Sequence, residues 1–247
     1  MSSEKYTAIC LSAIDYRESD KLLTLYCKGK GKITATLRGC KSPKSKLKIA
    51  GSPLVFGEYE FSVTRGRYIV TGISDVEMFE SLWTDFDKFY IGMSMLEIFN
   101  KFTYENEIYD DLFLEVLKGL DALNAGVYMT EQVTARFLYD IISSAGYEPC
   151  LDACIKCGDT SLIGKKFSYI NGGLVCPECG NGISLKSDVL SIFCDFCTLS
   201  EDEYYKKSYK RTALLNVIFV FSKYLEHIFG EKVKSLCQFL DNLCKNT

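Results

Sequence analysis

The sequence predicts an α+β, multidomain protein: a small five-stranded barrel, then an all-α region interrupted by a four-cysteine ribbon. Three observations predict it. Apolar residues alternate with period two up to about residue 75, and from about residue 80 they recur at helical spacing. Two CxxC pairs, Cys154/Cys157 and Cys176/Cys179, then break into the helical pattern.

The barrel strands follow in order. Tyr6–Asp15 alternates loosely, Lys21–Cys27 is rich in apolar residues, and Gly29-Lys30-Gly31 turns the chain into Lys32–Arg38. Leu54–Thr64 carries Phe56, Tyr59, Phe61 and Val63, and Arg65-Gly66-Arg67 turns into Tyr68–Ser74. The only helix expected in this stretch is a short one after Ser42. Five short strands with turn residues between them suggest an OB-fold, with a small SH3-like barrel as the competing architecture.

Beyond residue 80, Phe86, Phe89, Tyr90, Met93, Leu96 and Phe99 mark a first helix, and Leu112, Phe113, Val116, Leu117, Leu120 and Leu123 a second. A third starts near Thr130, carries Val133, Phe137, Leu138 and Ile141, and ends before Gly146. Helices resume over Ser187–Cys197, Tyr209–Phe229 and Val233–Cys244. The expected divisions are 1–80 (barrel), 81–150 (first helical part), 151–183 (ribbon) and 184–247 (second helical part). The longest apolar stretch, Ala213 to Phe221, is interrupted by Asn216 and stopped by Lys223, so no transmembrane helix is expected. The opening MSSEKYTAIC lacks the pattern of a signal peptide.

Of the chain's 12 cysteines, Cys154, Cys157, Cys176 and Cys179 have the spacing of a four-thiolate zinc ribbon, each pair giving two corners of a tetrahedron. Gly158 and Gly180 follow the pairs, where a knuckle must turn tightly. Between them, residues 166–175 read as a hairpin with Asn171-Gly172 at its turn, which brings both pairs to one metal. Disulfides are disfavoured without a secretory signal, and a redox CxxC normally stands singly beside a βαβ unit. Four thiolates leave no open coordination position, so one structural Zn2+ per chain is expected. A third pair, Cys194/Cys197, and Cys150 read either as buried free thiols or as additional ligands.

The formal charge of −3 hides an uneven distribution: the net is +4 over residues 1–80, −8 over 81–150 and +1 over 151–247. From Lys28 to Lys48 stand Lys28, Lys30, Lys32, Arg38, Lys41, Lys44, Lys46 and Lys48, with no acid among them. Composition alone weighs a nucleic-acid face and a solvated loop evenly. Arg38 beside Gly39, and Arg65 and Arg67 in a hairpin turn, tip the reading toward nucleic acid bound without sequence preference. Tyr26, Phe56, Tyr59 and Tyr68 are candidate stacking platforms. The acidic segment, with Glu105, Asp110 and Asp111, is expected to confine the ligand to the barrel.

No catalytic constellation stands out. His227 is the only histidine, near a helix end where its charge suits the dipole, and Walker A, GxGxxG, HExxH and GxSxG sequences are missing. The chain is therefore not expected to be an enzyme.

Several segments resemble the RecO family of bacterial DNA repair proteins, which are recombination mediators. They are Arg17-Glu-Ser-Asp-Lys-Leu-Leu-Thr-Leu25, Arg38-Gly-Cys-Lys-Ser-Pro-Lys-Ser-Lys46, and Arg136-Phe-Leu-Tyr-Asp-Ile-Ile-Ser-Ser-Ala-Gly-Tyr-Glu-Pro149, running into Cys154-Ile-Lys-Cys-Gly158 and Gly172-Gly-Leu-Val-Cys-Pro-Glu-Cys179. Lys234-Ser235 matches a Lys-Ser-Arg pattern in which Leu236 replaces the arginine. The resemblance implies binding of single- and double-stranded DNA, annealing of complementary strands, and RecA loading with RecR on strands coated by single-strand-binding protein. It also implies contact of the helical domain with that protein's acidic C-terminal tail, with Arg136 the candidate residue. It implies a cytoplasmic, nucleoid-associated protein without a membrane partner. The alternative is a zinc-ribbon module that binds protein or RNA and does not anneal DNA.

Overall fold

A computed structural model describes residues 2–245. The chain divides into two compact units, residues 1–114 and 115–247.

The first unit contains five strands: β1 (Ser2–Tyr16), β2 (Asp20–Cys27), β3 (Gly31–Leu37), β4 (Phe56–Thr64) and β5 (Arg67–Glu77). They close in the order β1-β2-β3-β5-β4, every pairing antiparallel except β3 with β5. This is the OB arrangement, and closure leaves no free sheet edge. Alternation explains the core: Leu23, Leu25 and Cys27 on β2 and Ile33, Ala35 and Leu37 on β3 are buried inside with Tyr59 and Phe61. The intervening residues therefore lie on the outer surface, where the register pairs Leu22 with Thr36, Thr24 with Thr34 and Tyr26 with Lys32. The helix expected after Ser42 is a single 3-10 turn at Ile49–Gly51.

Two helices follow, α1 (Glu80–Thr84) and α2 (Phe86–Phe102), and α3 (Asp110–Ala125) begins in this unit. Of these, α2 and the start of α3 cover one end of the outer β2–β3 face. Tyr26 is fully buried, its ring 4.8 Å from Phe99 and 4.9 Å from Phe113. Its hydroxyl donates to Asp110 at 2.9 Å and accepts from the Tyr109 N–H at 2.6 Å. Asp110 also accepts from the Gly29 N–H at 3.1 Å. Lys32 Nζ donates to the Asn100 and Thr103 carbonyls at 2.8 and 2.6 Å, where the last turn of α2 exposes its acceptors. Gly31, at φ +89°, accommodates the close approach of Glu107, whose carbonyl would lie 2.1 Å from an added Cβ.

The second unit contains α4 (Thr130–Ile142), α5 (Ser187–Thr198), α6 (Glu201–Lys206), α7 (Arg211–Phe229) and α8 (Lys234–Lys245). Between α4 and α5 lie the ribbon strands β6 (Lys166–Ser168), β7 (Gly173–Val175) and β8 (Ile183–Ser184), in the order β7-β6-β8. Helix α7 packs against α4 and α5. At 19 residues it is long and apolar enough to pass as a membrane span, but Leu214, Val217, Ile218, Phe221 and Leu225 are buried in the protein, as in a core helix. Helix α6 was not visible in the apolar pattern; a capping box between Ser200 and Glu203 starts it.

Asp110 is thus a structural anchor and Asp111 an exposed neighbour. Asp110→Ala is expected to lower stability by about 2 kcal/mol, because a buried tyrosine hydroxyl and a turn N–H lose their acceptor. Asp111→Asn should stay within about 0.5 kcal/mol of the parent in urea unfolding.

Candidate nucleic-acid interface and metal centre

The uncovered end of the β2–β3 face forms a groove of about 420 Å³, lined by Tyr16, Arg17, Leu22, Thr36, Arg38, Arg67 and Tyr68 among others. The strands explain its make-up. Leu22 and Thr36 are paired outward-facing residues, and Arg67 and Tyr68 start β5 beside β3. The β1–β2 turn delivers Tyr16 and Arg17, whose guanidinium lies 5.0 Å above the Tyr16 ring. Asp20 fixes the turn bearing Arg38: it accepts from the Gly39 N–H at 2.9 Å and from the Ser19 hydroxyl at 3.1 Å. Chiefly the Gly39 N–H, then Ser19 with Arg17 and Arg38, hold its carboxyl below the ordinary carboxylate value despite some desolvation. The Tyr68 ring turns inward, 5.7 Å edge-on to Phe61 against the barrel core. Three guanidiniums and the Tyr16 ring around one concavity can neutralise phosphates and stack a base.

The ten basic residues expected to contact DNA are dispersed. Arg38 and Arg67 line the groove. Lys28, Lys44, Lys46, Lys48 and Arg65 are exposed on turns and the loop after β3. Lys30 sits 5.8 Å from the Tyr68 ring, and Lys41 is paired with Asp15 at 3.1 Å. Lys32 is committed to the end of α2 by its hydrogen bonds to the Asn100 and Thr103 carbonyls. Tyr26 and Tyr59 are fully buried, so neither is a stacking platform; Phe56 packs 6.3 Å from Phe113, and Tyr68 borders the groove with its ring turned toward Phe61 and the core. The groove also includes Tyr16, Arg17, Thr34 and Thr36, which the sequence does not single out. The signal for the threonines was their outward parity on β3.

The sulfurs of Cys154, Cys157, Cys176 and Cys179 all lie within 4.8 Å of one another, an arrangement that can hold a metal ion. Each pair sits in a knuckle: the Gly158 N–H reaches the Cys154 carbonyl at 2.8 Å, and the Gly180 N–H reaches that of Cys176 at 3.3 Å. Gly158 has φ +74°, whereas Gly180 lies outside the left-handed region. The Cys176 N–H points at the Cys154 sulfur, 3.4 Å away. Backbone N–H groups, led by that of Cys157, bring the Cys154 thiol down to about 6, whereas burial first of all pushes Cys176 up to about 12. The hairpin forms as expected, with Phe167 opposite Leu174 and Gly172 at φ +68°.

Beside the sulfurs stands a residue that the sequence reading missed. The Lys165 side chain is 0% exposed; its Nζ lies 2.6 Å from the Asp159 carbonyl, 3.0 Å from Asp159 Oδ2 and 3.6 Å from Cys176 Sγ. Burial works against its charge, but hydrogen bonds to Asp159 and Cys176 keep its pKa above the usual lysine value. Cys150 is held by backbone hydrogen bonds to Gly172 and Leu174, and neither it nor Cys194 or Cys197 joins the four-sulfur cluster.

Arg136 lies on α4 with its side chain 14% exposed. Its Nε donates to Asp140 at 2.8 Å, and its guanidinium sits 5.8 Å from the Tyr139 ring and 5.7 Å from that of Tyr204. Its Nη1 is buried without a hydrogen-bond partner.

These features define a class: an OB-barrel protein whose helical region carries an inserted four-cysteine, metal-competent ribbon. The family model "Recombination protein O N terminal" matches residues 1–82, and "Recombination protein O C terminal" matches residues 84–191. The DNA repair protein RecO of Syntrophomonas wolfei is 30% identical over 189 residues, covering 75% of each chain. Its namesake from Acetivibrio thermocellus is 29% identical over 180 residues, covering 72% of this chain and 71% of that one. The chain belongs to the RecO family, and its role lies in DNA repair and recombination.

Metal retention separates the cysteines and tests Lys165. Cys154→Ala should lose its metal and Cys194→Ala should keep a full complement, read by metal analysis per chain. Lys165→Met should weaken retention against a chelator by about 10- to 100-fold, as expected when a partner of a ligand is removed, and Lys165→Arg should recover part of it.

Proposed function

We propose that the chain is a recombination mediator without catalytic activity that binds single- and double-stranded DNA on the barrel, largely without sequence preference, and anneals complementary strands. The observation that carries this reading is the groove in which Arg17, Arg38 and Arg67 meet Tyr16. Guanidiniums there displace counterions from the backbone, while the Tyr16 ring accepts any base on its face. Neutralising two strands on one surface lets them pair, with no covalent bond made or broken. The exposed Lys28, Lys44, Lys46, Lys48 and Arg65 extend the positive field around the groove and steer DNA toward it.

The four-cysteine cluster takes one Zn2+ per chain in a structural role, since thiolates fill all four positions and leave none for water. Cys154 and Cys157 on one knuckle and Cys176 and Cys179 on the other would hold the ion and so be tied together beside the β6–β7 hairpin. Lys165 offsets part of the negative charge of a metal bound by four thiolates.

In the cell the chain acts in the cytoplasm at the nucleoid, joining RecR to load RecA on strands coated by single-strand-binding protein. Family membership supports these assignments. The acidic C-terminal tail of the coating protein would meet the helical region at Arg136, through the 14% of its side chain that is exposed.

The test is DNA binding by variants at two salt concentrations. Arg38→Ala and Arg67→Ala should each cost about 1–2 kcal/mol for labelled single-stranded DNA and lower the salt slope by about 1. Lys32→Gln should leave the slope unchanged. A parent protein without log-linear salt dependence would instead favour a protein-interaction barrel.

A further inference from the structure

The segment leading from β5 into α2 combines two properties rarely found together. Residues 75–87 contain Asp75, Glu77, Glu80, Asp85 and Asp87 and no Lys, Arg or His. In the same stretch Val76, Met78, Trp83 and Phe86 face solvent, with Trp83 41% and Phe86 59% exposed. A single exposed apolar side chain is ordinary, but a cluster with two aromatic rings marks an interaction surface.

The ledge is held in place. The Trp83 ring lies 5.5 Å from Phe89, Phe86 lies 4.6 Å edge-on to Tyr90, and Phe89 and Tyr90 are themselves 5.7 Å apart. The indole Nε1 donates to the Met78 carbonyl at 3.0 Å, which ties the ring to the incoming strand. Asp75 and Phe79 have φ of 49° and 45°, a left-handed backbone that non-glycine residues seldom adopt. The two bracket Val76–Met78 and keep those side chains outward while Phe79 is buried. Strain of this kind persists where the surrounding structure imposes it, and it concentrates at functional surfaces.

Charge selects the occupant. Carboxylates around the rings repel nucleic acid and anionic lipid, and they complement a cation-rich partner. We propose that this ledge docks a basic amphipathic helix of a partner protein. Its apolar face covers Trp83 and Phe86, and its Lys or Arg residues meet Glu77, Glu80 and Asp85. The surface is distinct from the arginine groove and has the opposite sign, so one barrel unit can hold DNA and a protein at once.

Trp83 is the only tryptophan in the chain, so its fluorescence reports on the ledge directly. The full chain is titrated with a helical peptide carrying Leu on one face and Lys on the other. A second peptide has Ser in place of every Leu and the same charge. A saturable blue shift of Trp83 emission with the Leu/Lys peptide alone is expected, weakening with added salt. Phe86→Ser should cut that affinity by about tenfold or more. The surface variant Glu77→Lys/Glu80→Lys, which leaves packing untouched, should do the same with an unchanged melting temperature. No saturable shift, or an equal response to the Ser-faced peptide or from the charge-reversed variant, would overturn the proposal. So would a concentration-dependent shift without peptide that sedimentation traces to a dimer lost in Trp83→Ser, since the ledge would then serve a second copy of the chain.

Discussion

The hydroxyl of Tyr26 is the junction on which the N-terminal unit depends. It sits at the hairpin end of the outer β2–β3 face, donates to Asp110, accepts from Tyr109, and places its ring between Phe99 and Phe113. Lys32, its cross-strand neighbour, reaches the last carbonyls of α2 from the same end. One half of that face is therefore covered by helix. The other half, with Leu22, Thr34 and Thr36, remains open and becomes the floor of the arginine groove. Since outer residues on adjacent strands are fixed by register, a one-residue slip would exchange the groove for the core. Closure of the barrel prevents such a slip by giving every strand two neighbours.

The same division explains the distribution of charge. Acids close to the barrel do not simply repel a ligand: Asp110 and Asp20 each tie down a turn through backbone N–H groups. Glu105 accepts from Thr34 at 3.1 Å, at the margin of the groove. In the ribbon the polarity is reversed. There a buried cation, Lys165, stands against sulfur and carboxylate, and a charge without exposure is tolerable only beside such partners.

Most of the architecture was legible in the sequence because it rests on periodicity and spacing. Alternation gave the five strands to within a few residues, helical spacing gave α2, α3, α4, α5, α7 and α8, and the two CxxC pairs gave the four-sulfur cluster. Short elements without an apolar period, α1 and α6, were not legible. The roles of individual basic residues were legible only in part. Lys28 to Lys48 looks uniform as a string, yet tertiary contacts take Lys32 to a helix end, Lys41 to Asp15 and Lys30 to Tyr68. Tyr26 and Tyr59 looked like platforms because aromatic residues on alternating strands do not announce which side they occupy. Lys165 was invisible because nothing local marks a lysine for burial.

The most direct measurement is hydrogen exchange along the full chain with and without a single-stranded oligothymidine at low salt. The account predicts slowed exchange in the turns at residues 16–19, 38–46 and 64–67, with the ribbon at 154–180 unchanged. Protection confined to the ribbon, with those three turns exchanging as in the free protein, would contradict it.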